Sequence, residues 1–278
     1  MKKYYVIVFD LDETLGSFGQ LSYFWKLTKE YLKNNELHKK YFFNIIDNFP
    51  LFFRPNLLKL LNFIKNKKIE KKCDYVIIYT NNNGPNEWAN VIKDYLHYKL
   101  RYNLFDKIIR AFEAKGTRVE MCRTMNSKSY NDFISCTKLP ENTQVCFLDD
   151  VYHKPMENKN VDYIKLKPYQ YSTDLNLLAK TFYNKNKKLF NANGNTYLSF
   201  INKYANNYKT INKSKLEEFN DKEYTEELLK KVDNFLKSNK NKIIKTKKTS
   251  KKRLKRKNPI KGGHTRKHKL KLFNQLNT

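Results

Sequence analysis

Five short apolar runs within the first 166 residues constrain the fold of this chain more than any other feature. Each is four to six residues long and is rich in Val, Ile, Tyr or Phe, as buried strands are. The runs are Tyr4–Phe9, Tyr75–Tyr79, Ile108–Phe112, Val145–Leu148 and Val161–Leu166. Helical patterns separate them, and this alternation is typical of parallel sheets with right-handed crossovers. The sequence therefore predicts an α/β fold, a Rossmann-like three-layer sandwich with a central parallel sheet.

The segment 18–53 breaks this alternation directly after the first strand. It is rich in aromatic residues and lysine, and its apolar side chains have helical spacing. The spaced residues are Tyr23, Phe24, Leu27, Tyr31 and Leu32. We expect a small helical insertion whose aromatic side chains pack in a core rather than contact a ligand.

The strand–helix pattern ends near residue 183, which gives a predicted α/β domain over residues 1–183. Residues 184–240 keep helical signals, such as Leu228, Val232 and Phe235, and are interpreted as a helical extension that covers the core or contacts a partner. Residues 241–278 carry 15 Lys and Arg and no Asp or Glu. Such a composition cannot bury enough apolar area to fold alone, so a disordered basic tail is predicted there.

The charge of the chain is strongly positive, at +29 overall and +14 over residues 1–240 alone. A surface of this kind attracts polyanions such as nucleic acid or phosphorylated protein. The run Lys251–Lys257 is typical of nuclear localisation signals and of polyanion contacts, and the alternative is a tail that only aids solubility. No apolar stretch approaches the roughly 20 residues of a membrane span, and no signal-peptide pattern is present. We expect a soluble intracellular protein, in the nucleus or cytoplasm, with no membrane partner.

The four cysteines, Cys73, Cys122, Cys136 and Cys146, are scattered and form no CxxC pair. This spacing argues against a thiolate metal site. Together with an intracellular location it favours buried, reduced thiols.

Side chains suited to chemistry follow three of the predicted strands, at the point where each strand ends. Asp10 and Asp12 follow the first run, Thr80 follows the second, and Asp149 and Asp150 follow the fourth. Open α/β sheets bind ligands at the carboxyl ends of their strands, so we expect these side chains to meet. Carboxylates from two neighbouring strand ends suit Mg²⁺, which prefers oxygen ligands. The metal would also reduce the repulsion between these carboxylates and a phosphate dianion.

A lysine near these strand ends would supply a compact positive charge to a phosphoryl group or to a nucleophile. Lys128, which begins a helical segment before the fourth strand, is the preferred candidate. Lys115 and Arg118 are the alternatives.

These residues together resemble the four motifs of the haloacid dehalogenase superfamily of aspartate-based phosphatases. The matching motifs are Asp10-Leu-Asp12-Glu13-Thr14, Thr80, Lys128 and Asp149-Asp150. The sequence DLDETL and the Arg54-Pro55 step before a leucine-rich helix are similar to the FCP/SCP-like branch. That branch, also called NLI-interacting-factor-like, dephosphorylates the C-terminal domain of RNA polymerase II. The resemblance covers roughly residues 3–183.

The resemblance implies a Mg²⁺-dependent hydrolysis of phosphate monoesters through an aspartyl phosphate. Asp10 would attack phosphorus, and Asp12 would protonate the leaving oxygen and then activate the hydrolytic water. Thr80 would bind the phosphoryl group, and Lys128 would stabilise the intermediate.

The resemblance also implies the metal and substrate contacts. Mg²⁺ would be held by Asp10, Asp149 and the carbonyl of Asp12, with Asp150 supporting the site. Substrate binding is assigned to Thr14, Asn81 and Arg123. Thr14 would mainly hold the loop in shape. For Arg123 a solvated position is the alternative. His153 follows the fourth strand; a surface position is favoured for it, and the mouth of the site is the alternative.

Three departures from the branch leave the substrate open. The insertion at 18–53 has a helical pattern where the branch has β-structure. The second motif is Thr80-Asn81-Asn82 in place of Thr-Ala-Ser. After Asp149-Asp150, the sequence Val151-Tyr152-His153 stands where the branch has Asn-Ser-Pro. The preferred expectation is a protein serine/threonine phosphatase acting on a phosphorylated protein or peptide. The alternatives are a nucleic-acid 3′-end phosphatase, a small-molecule phosphatase, and a non-catalytic polyanion-binding protein on the same fold.

The Asn/Lys-rich composition and the tail ending in Gly-Gly-His-Thr-Arg-Lys-His are similar to proteins of large nucleocytoplasmic DNA viruses. A viral origin would place the protein in a viral factory or a virion.

Overall fold

The computed structural model describes residues 3–84, 87–190 and 194–255, with side chains described as far as residue 237. Its strands are β1 (Tyr5–Phe9), β2 (Tyr75–Tyr79), β3 (Lys107–Ile109), β4 (Glu113–Ala114), β5 (Thr117–Arg118), β6 (Gln144–Asp149) and β7 (Val161–Lys165). Its α-helices are α1 (Gly19–Tyr31), α2 (Lys39–Asn48), α3 (Leu57–Ile69), α4 (Trp88–Leu100), α5 (Tyr130–Thr137), α6 (Leu175–Lys185), α7 (Gly194–Asn202) and α8 (Lys215–Lys255).

The central sheet contains five strands in the order β3-β2-β1-β6-β7, and every neighbouring pair is parallel. The middle strand β1 is buried along its whole length. Its side chains alternate between two cores: Ile7 and Phe9 pack in the core that includes α3 and α4, whereas Val6 and Val8 pack in the core that includes α5. The predicted α/β fold with a parallel sheet between helical layers is therefore confirmed.

The third strand is shorter than the predicted run Ile108–Phe112, because β3 ends at Ile109. The chain leaves the sheet at Arg110, whose backbone N–H donates to the Glu120 carboxylate at 3.3 Å. It then forms the small antiparallel hairpin β4–β5, which turns at Lys115 and Gly116, with φ of 52° and 75°. The apolar pattern alone did not reveal this turn.

The segment 18–53 folds into α1 and α2, as predicted. Its aromatic side chains lie in the core: Phe24 and Phe42 are fully buried, and the Trp25 ring packs edge-on against that of Phe42 at 5.3 Å. The insertion thus adds apolar core after β1, and the chain then passes Arg54 and enters α3.

Residues up to Leu236 form one compact unit, and a second unit begins at Lys237. Within the first unit, Tyr197 of α7 and Val232 of α8 are fully buried in the core that also contains α6. Helix α8 continues through residues 241–255, the first part of the predicted basic tail, and ends at Lys255. The sequence of α8 contains neither Gly nor Pro and is rich in Lys, Leu and Glu, which favour helices. The rest of the predicted tail, 256–278, lies outside the described residues.

Cys122 and Cys136 form a disulfide, with 5.0 Å between their Cα atoms. This corrects the prediction that all four cysteines are reduced, which holds only for the buried thiols of Cys73 and Cys146. The pairing arises because α5 returns Cys136 to the loop that precedes the helix, and no sequence spacing signals that return.

Across the part of the chain that the structure describes, none of the helices is both long enough and apolar enough to cross a membrane.

Candidate active site

The carboxyl ends of β1, β2 and β6 meet at one edge of the sheet, where they line a cavity of about 450 Å³. The strands are held in register at this edge, since the Asp10 N–H donates to the carbonyl of Leu148 at 2.9 Å. Most of the predicted site residues contribute to the cavity wall. They are Asp10, Asp12, Thr80, Asn81, Lys128, Asp149 and Asp150.

The side chain of Lys128 is the basic group of this cavity. Its ammonium contacts the Asp10 carboxylate and lies 2.6 Å from Asp149 Oδ2, and the residue is 1% exposed. The two alternatives lie elsewhere: Lys115 is exposed in the turn of the β4–β5 hairpin, and the Arg118 guanidinium donates to the Arg123 carbonyl at 2.6 Å. The structure brings Lys128, and neither alternative, to the strand ends.

The local sequence after Lys128 fixes its approach to the site. Ser129 caps α5, because its hydroxyl accepts the backbone N–H of Asp132 at 3.0 Å. The residue before this cap is therefore held where the chain enters the helix, with its side chain directed at Asp10 and Asp149.

Burial and mutual repulsion raise the pKa of the site carboxyls. Desolvation raises the pKa of Asp10 to about 7, with Asp149 and Asp150 adding to the rise and Lys128 opposing it. Burial also raises the pKa of Asp12 to about 6, against the hydrogen bond from Asn82. The pKa of Asp149 is raised by burial as well. One ammonium does not compensate this group of buried carboxyls, so the site favours a further cation.

Three of the carboxylates have the spacing of a metal site. One oxygen from each of Asp10, Asp149 and Asp150 lies within 4.8 Å of the others. Hard oxygen donors of this kind suit Mg²⁺, which keeps several waters and uses few protein ligands. The residues present therefore fit a hard divalent cation, the class to which the predicted Mg²⁺ belongs.

Thr14 supports the site from behind. Its hydroxyl donates to Asp150 Oδ1 at 3.0 Å and accepts the Asp150 N–H at 3.2 Å, and the residue is 2% exposed. This geometry agrees with a role in shaping the loop. It differs from the assignment of Thr14 to substrate binding, because the hydroxyl is buried and already occupied.

Arg54 holds the loop that follows β1. Its guanidinium donates to the carbonyls of Thr14 at 2.8 Å, Glu13 at 2.7 Å and Lys167 at 2.8 Å. The side chain is buried and lies 5.4 Å from the ring centroid of Tyr169. Arg54 therefore joins the first acidic loop to the segment that follows β7, which accounts for an arginine at the end of the insertion.

Arg123 also occupies a supporting position, which corrects its assignment to substrate binding. The residue is fully buried, and its guanidinium donates to Asn81 Oδ1 and to the Arg110 carbonyl, both at 2.9 Å. It lies 4.9 Å from the ring centroid of Tyr79. Arg123 thus fixes the loop after β2 instead of facing the cavity, whereas Asn81 is exposed at the cavity wall.

Two further residues line the cavity, Asn82 and His153, and the sequence predicts a site role for neither. The side-chain amide of Asn82 donates to the Asp12 carboxylate at 2.6 Å. Asn82 lies two residues after Thr80, and this position in the sequence already indicates that it belongs to the same strand end. His153 is only 7% exposed and lines the cavity, so the preferred surface position is wrong. Burial, with Lys128 and Arg123 nearby, lowers the pKa of His153 to about 4, which leaves the ring neutral at pH 7.

The neutral His153 ring packs beside the lysine. Its Nδ1 accepts the backbone N–H of Lys128 at 3.4 Å and lies 3.2 Å from the Ser127 hydroxyl. His153 therefore helps to hold the segment that carries Lys128.

Comparisons with protein-family models, with curated proteins and with solved structures find no match to this chain.

Proposed function

We propose that this protein is a Mg²⁺-dependent, aspartate-based phosphatase that hydrolyses phosphate monoesters through an aspartyl phosphate. The observation that carries the proposal is the contact of one buried lysine, Lys128, with Asp10 and Asp149 from two different strand ends. A buried carboxylate beside an ammonium, with a second carboxyl two residues along the chain, is suited to nucleophilic attack and proton transfer.

In the first step, a carboxylate oxygen of Asp10 attacks phosphorus while the bond from phosphorus to the ester oxygen breaks. The departing oxygen takes a proton from Asp12. In the second step a water attacks the phosphorus of the aspartyl phosphate, Asp12 takes a proton from that water, and the Asp10 carboxylate leaves. A pKa of about 6 suits Asp12 to both proton transfers near neutral pH.

Lys128 and Thr80 would assist both steps by binding the phosphoryl oxygens. Asp10, Asp149 and Asp150, together with the Asp12 carbonyl, would hold Mg²⁺. The bound metal would supply positive charge to the phosphoryl oxygens and offset the repulsion between phosphate and carboxylates.

A phosphorylated protein is the substrate we favour, on the resemblance to the FCP/SCP-like branch. The net charge of +29 also supports a polyanionic substrate, and this applies equally to the second candidate, a phosphorylated nucleic-acid end. A small-molecule substrate has no comparable support from the charge.

The test is a side-by-side assay of the purified full chain with Mg²⁺ on an aryl phosphate, a set of phosphoserine and phosphothreonine peptides, and 3′-phosphorylated oligonucleotides. Asp10→Asn is the matched blank, since it keeps the side-chain shape and removes the nucleophile. We expect turnover of the aryl phosphate and of the peptides by the wild type alone. Turnover of no phosphate ester by the wild type would favour the non-catalytic alternative, in which the fold binds polyanions.

Polyanion binding by the basic segment 241–278 is a separate part of the proposal. Its 15 basic residues, unopposed by acidic ones, should give an affinity for polyanions that falls as salt rises. Fluorescence titration of the full chain with heparin or an oligonucleotide, at two salt concentrations, measures this. A chain that ends at residue 240 keeps a net charge of +14, so it should bind polyanions more weakly at low salt and keep aryl-phosphate turnover.

A further inference from the structure

Asn82 connects two parts of the candidate active site. Its side-chain Nδ2 donates to Asp12 Oδ2 at 2.6 Å, and its backbone N–H donates to the Thr80 hydroxyl at 2.9 Å. Asp12 and Thr80 belong to the ends of different strands. A single residue therefore links the carboxyl after β1 to the hydroxyl after β2.

The orientation of the Asn82 amide is determined by a third contact. Its Oδ1 accepts the backbone N–H of Gly84 at 2.9 Å. The oxygen of the amide must face Gly84, because a backbone N–H needs an acceptor, and the NH₂ group must then face Asp12. Rotating the amide by 180° would break both hydrogen bonds, so the donor to Asp12 is held in place by the loop itself.

The hydrogen bond also distinguishes the two oxygens of Asp12. Oδ2 accepts from Asn82, and in the described part of the chain no other side chain donates to this carboxylate. When Asp12 is protonated, its proton is therefore placed on Oδ1, the oxygen that Asn82 does not occupy. Asp12 lines the cavity, and Oδ1 is the oxygen that the bond to Asn82 leaves for a substrate.

We infer that Asn82 is a positioning residue, which holds the Asp12 carboxyl so that Oδ1 delivers its proton to the departing oxygen of the substrate. This inference rests on the proposed function and deepens it, because it assigns the orientation of the acid to a residue outside the predicted motif roles. Asn82 touches neither the phosphoryl group nor the metal in this account, and it acts through Asp12.

Such a role has a consequence that depends on the leaving group. A nitrophenolate departs without a proton, whereas a phenolate with no electron-withdrawing substituent needs one as the bond to phosphorus breaks. Loss of Asn82 should therefore leave the first reaction nearly unchanged and slow the second. A general acid typically accelerates a reaction about a hundredfold or more. When the acid is misdirected, the rate with the phenolate leaving group should therefore fall about tenfold.

The experiment measures kcat/KM for a series of aryl phosphates, from p-nitrophenyl phosphate to phenyl phosphate, with the wild type and Asn82→Ala. We expect at least about a tenfold loss on phenyl phosphate and less than about threefold on p-nitrophenyl phosphate. Asn62→Ala, on the exposed face of α3, is the control and should follow the wild type on every substrate.

A second variant covers the case in which Asn82→Ala fails to fold. Asn82→Ser keeps a hydroxyl oxygen for the Gly84 N–H, as serine does in such turns, and its shorter, uncharged side chain removes the amide donor to Asp12. It should give the same dependence on the leaving group.

Equal losses on all substrates, or no loss on any, would overturn the inference while leaving the phosphatase intact. Failure of the proposed function looks different, because the wild type would then hydrolyse none of the series, or Asp10→Asn would hydrolyse it as well as the wild type does.

Discussion

The ammonium of Lys128 lies 2.6 Å from Asp149 Oδ2, in a site where both residues are almost completely buried. The same ammonium contacts Asp10 from the neighbouring strand. One cation thus stabilises two carboxylates that would otherwise repel each other at the edge of the sheet, and removing it affects both stability and chemistry.

Replacing Lys128 by Met should cost about 3–5 kcal/mol of unfolding free energy at pH 8 without divalent metal, because it leaves buried carboxylates without a counter-charge. Aryl-phosphate turnover should fall by roughly a hundredfold or more. Urea denaturation and initial rates measure the two effects. Lys165→Met, at an exposed position at the end of β7, is the matched control and should change neither. A Lys128→Met protein as stable and active as the control would contradict the role given to this lysine.

The metal-free protein should lose stability as pH rises from about 4 to about 7. The pKa of Asp10 is raised from 3.8 to about 7 in the folded state, so the folded protein binds this proton more tightly than the unfolded chain does. The resulting stabilisation is present at low pH and is lost as Asp10 ionises, with a size on the order of 2–4 kcal/mol.

Unfolding free energies at pH 5 and pH 8, with and without Mg²⁺, measure this effect. Mg²⁺ should stabilise the protein more at pH 8, where the carboxylates are charged, than at pH 5. Asp10→Asn should reduce the pH dependence and leave the part that comes from Asp12 and Asp149, whose pKa values burial also raises. The lowered pKa of His153 opposes this trend, so the wild type is compared with Asp10→Asn: equal pH dependence in the two proteins would show that the pKa of Asp10 is not raised.

Arg54→Lys should loosen the acidic loop. A lysine cannot reproduce the planar fork that donates to the carbonyls of Glu13, Thr14 and Lys167, and at least one buried acceptor would be left without a donor. We expect a loss of about 2 kcal/mol or more in unfolding free energy, together with a fall in kcat. Arg101→Lys, at an exposed position after α4, should have no effect in the same urea denaturation and rate measurements. Equal unfolding free energies and rates for the two variants would show that Arg54 does not support the site.

The Cys122–Cys136 disulfide closes a loop that contains Arg123 and Lys128. Its removal by Cys122→Ser/Cys136→Ser, or by reduction, should lower the unfolding free energy by about 3 kcal/mol, the value for a closed loop of this length. Reductant should leave the double variant unchanged. Alkylation of the denatured, unreduced protein followed by mass spectrometry should find two modified cysteines, Cys73 and Cys146. Four modified cysteines would exclude the disulfide.

The parallel sheet and the meeting of Asp10, Thr80 and Asp149 could be predicted because they depend on local patterns. Apolar runs indicate buried strands, and the carboxyl ends of parallel strands lie at one edge whatever the details of packing. The helical insertion followed from the spacing of its aromatic residues for the same reason.

Long-range contacts of the supporting side chains could not be predicted. The sequence assigns Arg123 to substrate binding, whereas the structure buries it beside the ring of Tyr79. That position depends on the path of a loop, and hydrophobic periodicity does not predict loop paths. The disulfide and the burial of His153 depend on that same loop, and Asn82 meets Asp12 only through the pairing of β1 with β2. Sequence patterns indicate which residues reach the sheet edge, whereas tertiary packing decides which of them face the cavity.

The most direct test of the account is whether Asp10 becomes phosphorylated during turnover. Asp12→Asn should still accept a phosphoryl group from p-nitrophenyl phosphate, which needs no acid, but should hydrolyse the aspartyl phosphate slowly because the base is missing. Acid quenching followed by peptide mass spectrometry of this variant with Mg²⁺ should find one added phosphoryl group on Asp10, and none in Asp10→Asn/Asp12→Asn. A phosphoryl group on another residue, or hydrolysis by Asp10→Asn at the wild-type rate, would contradict the account.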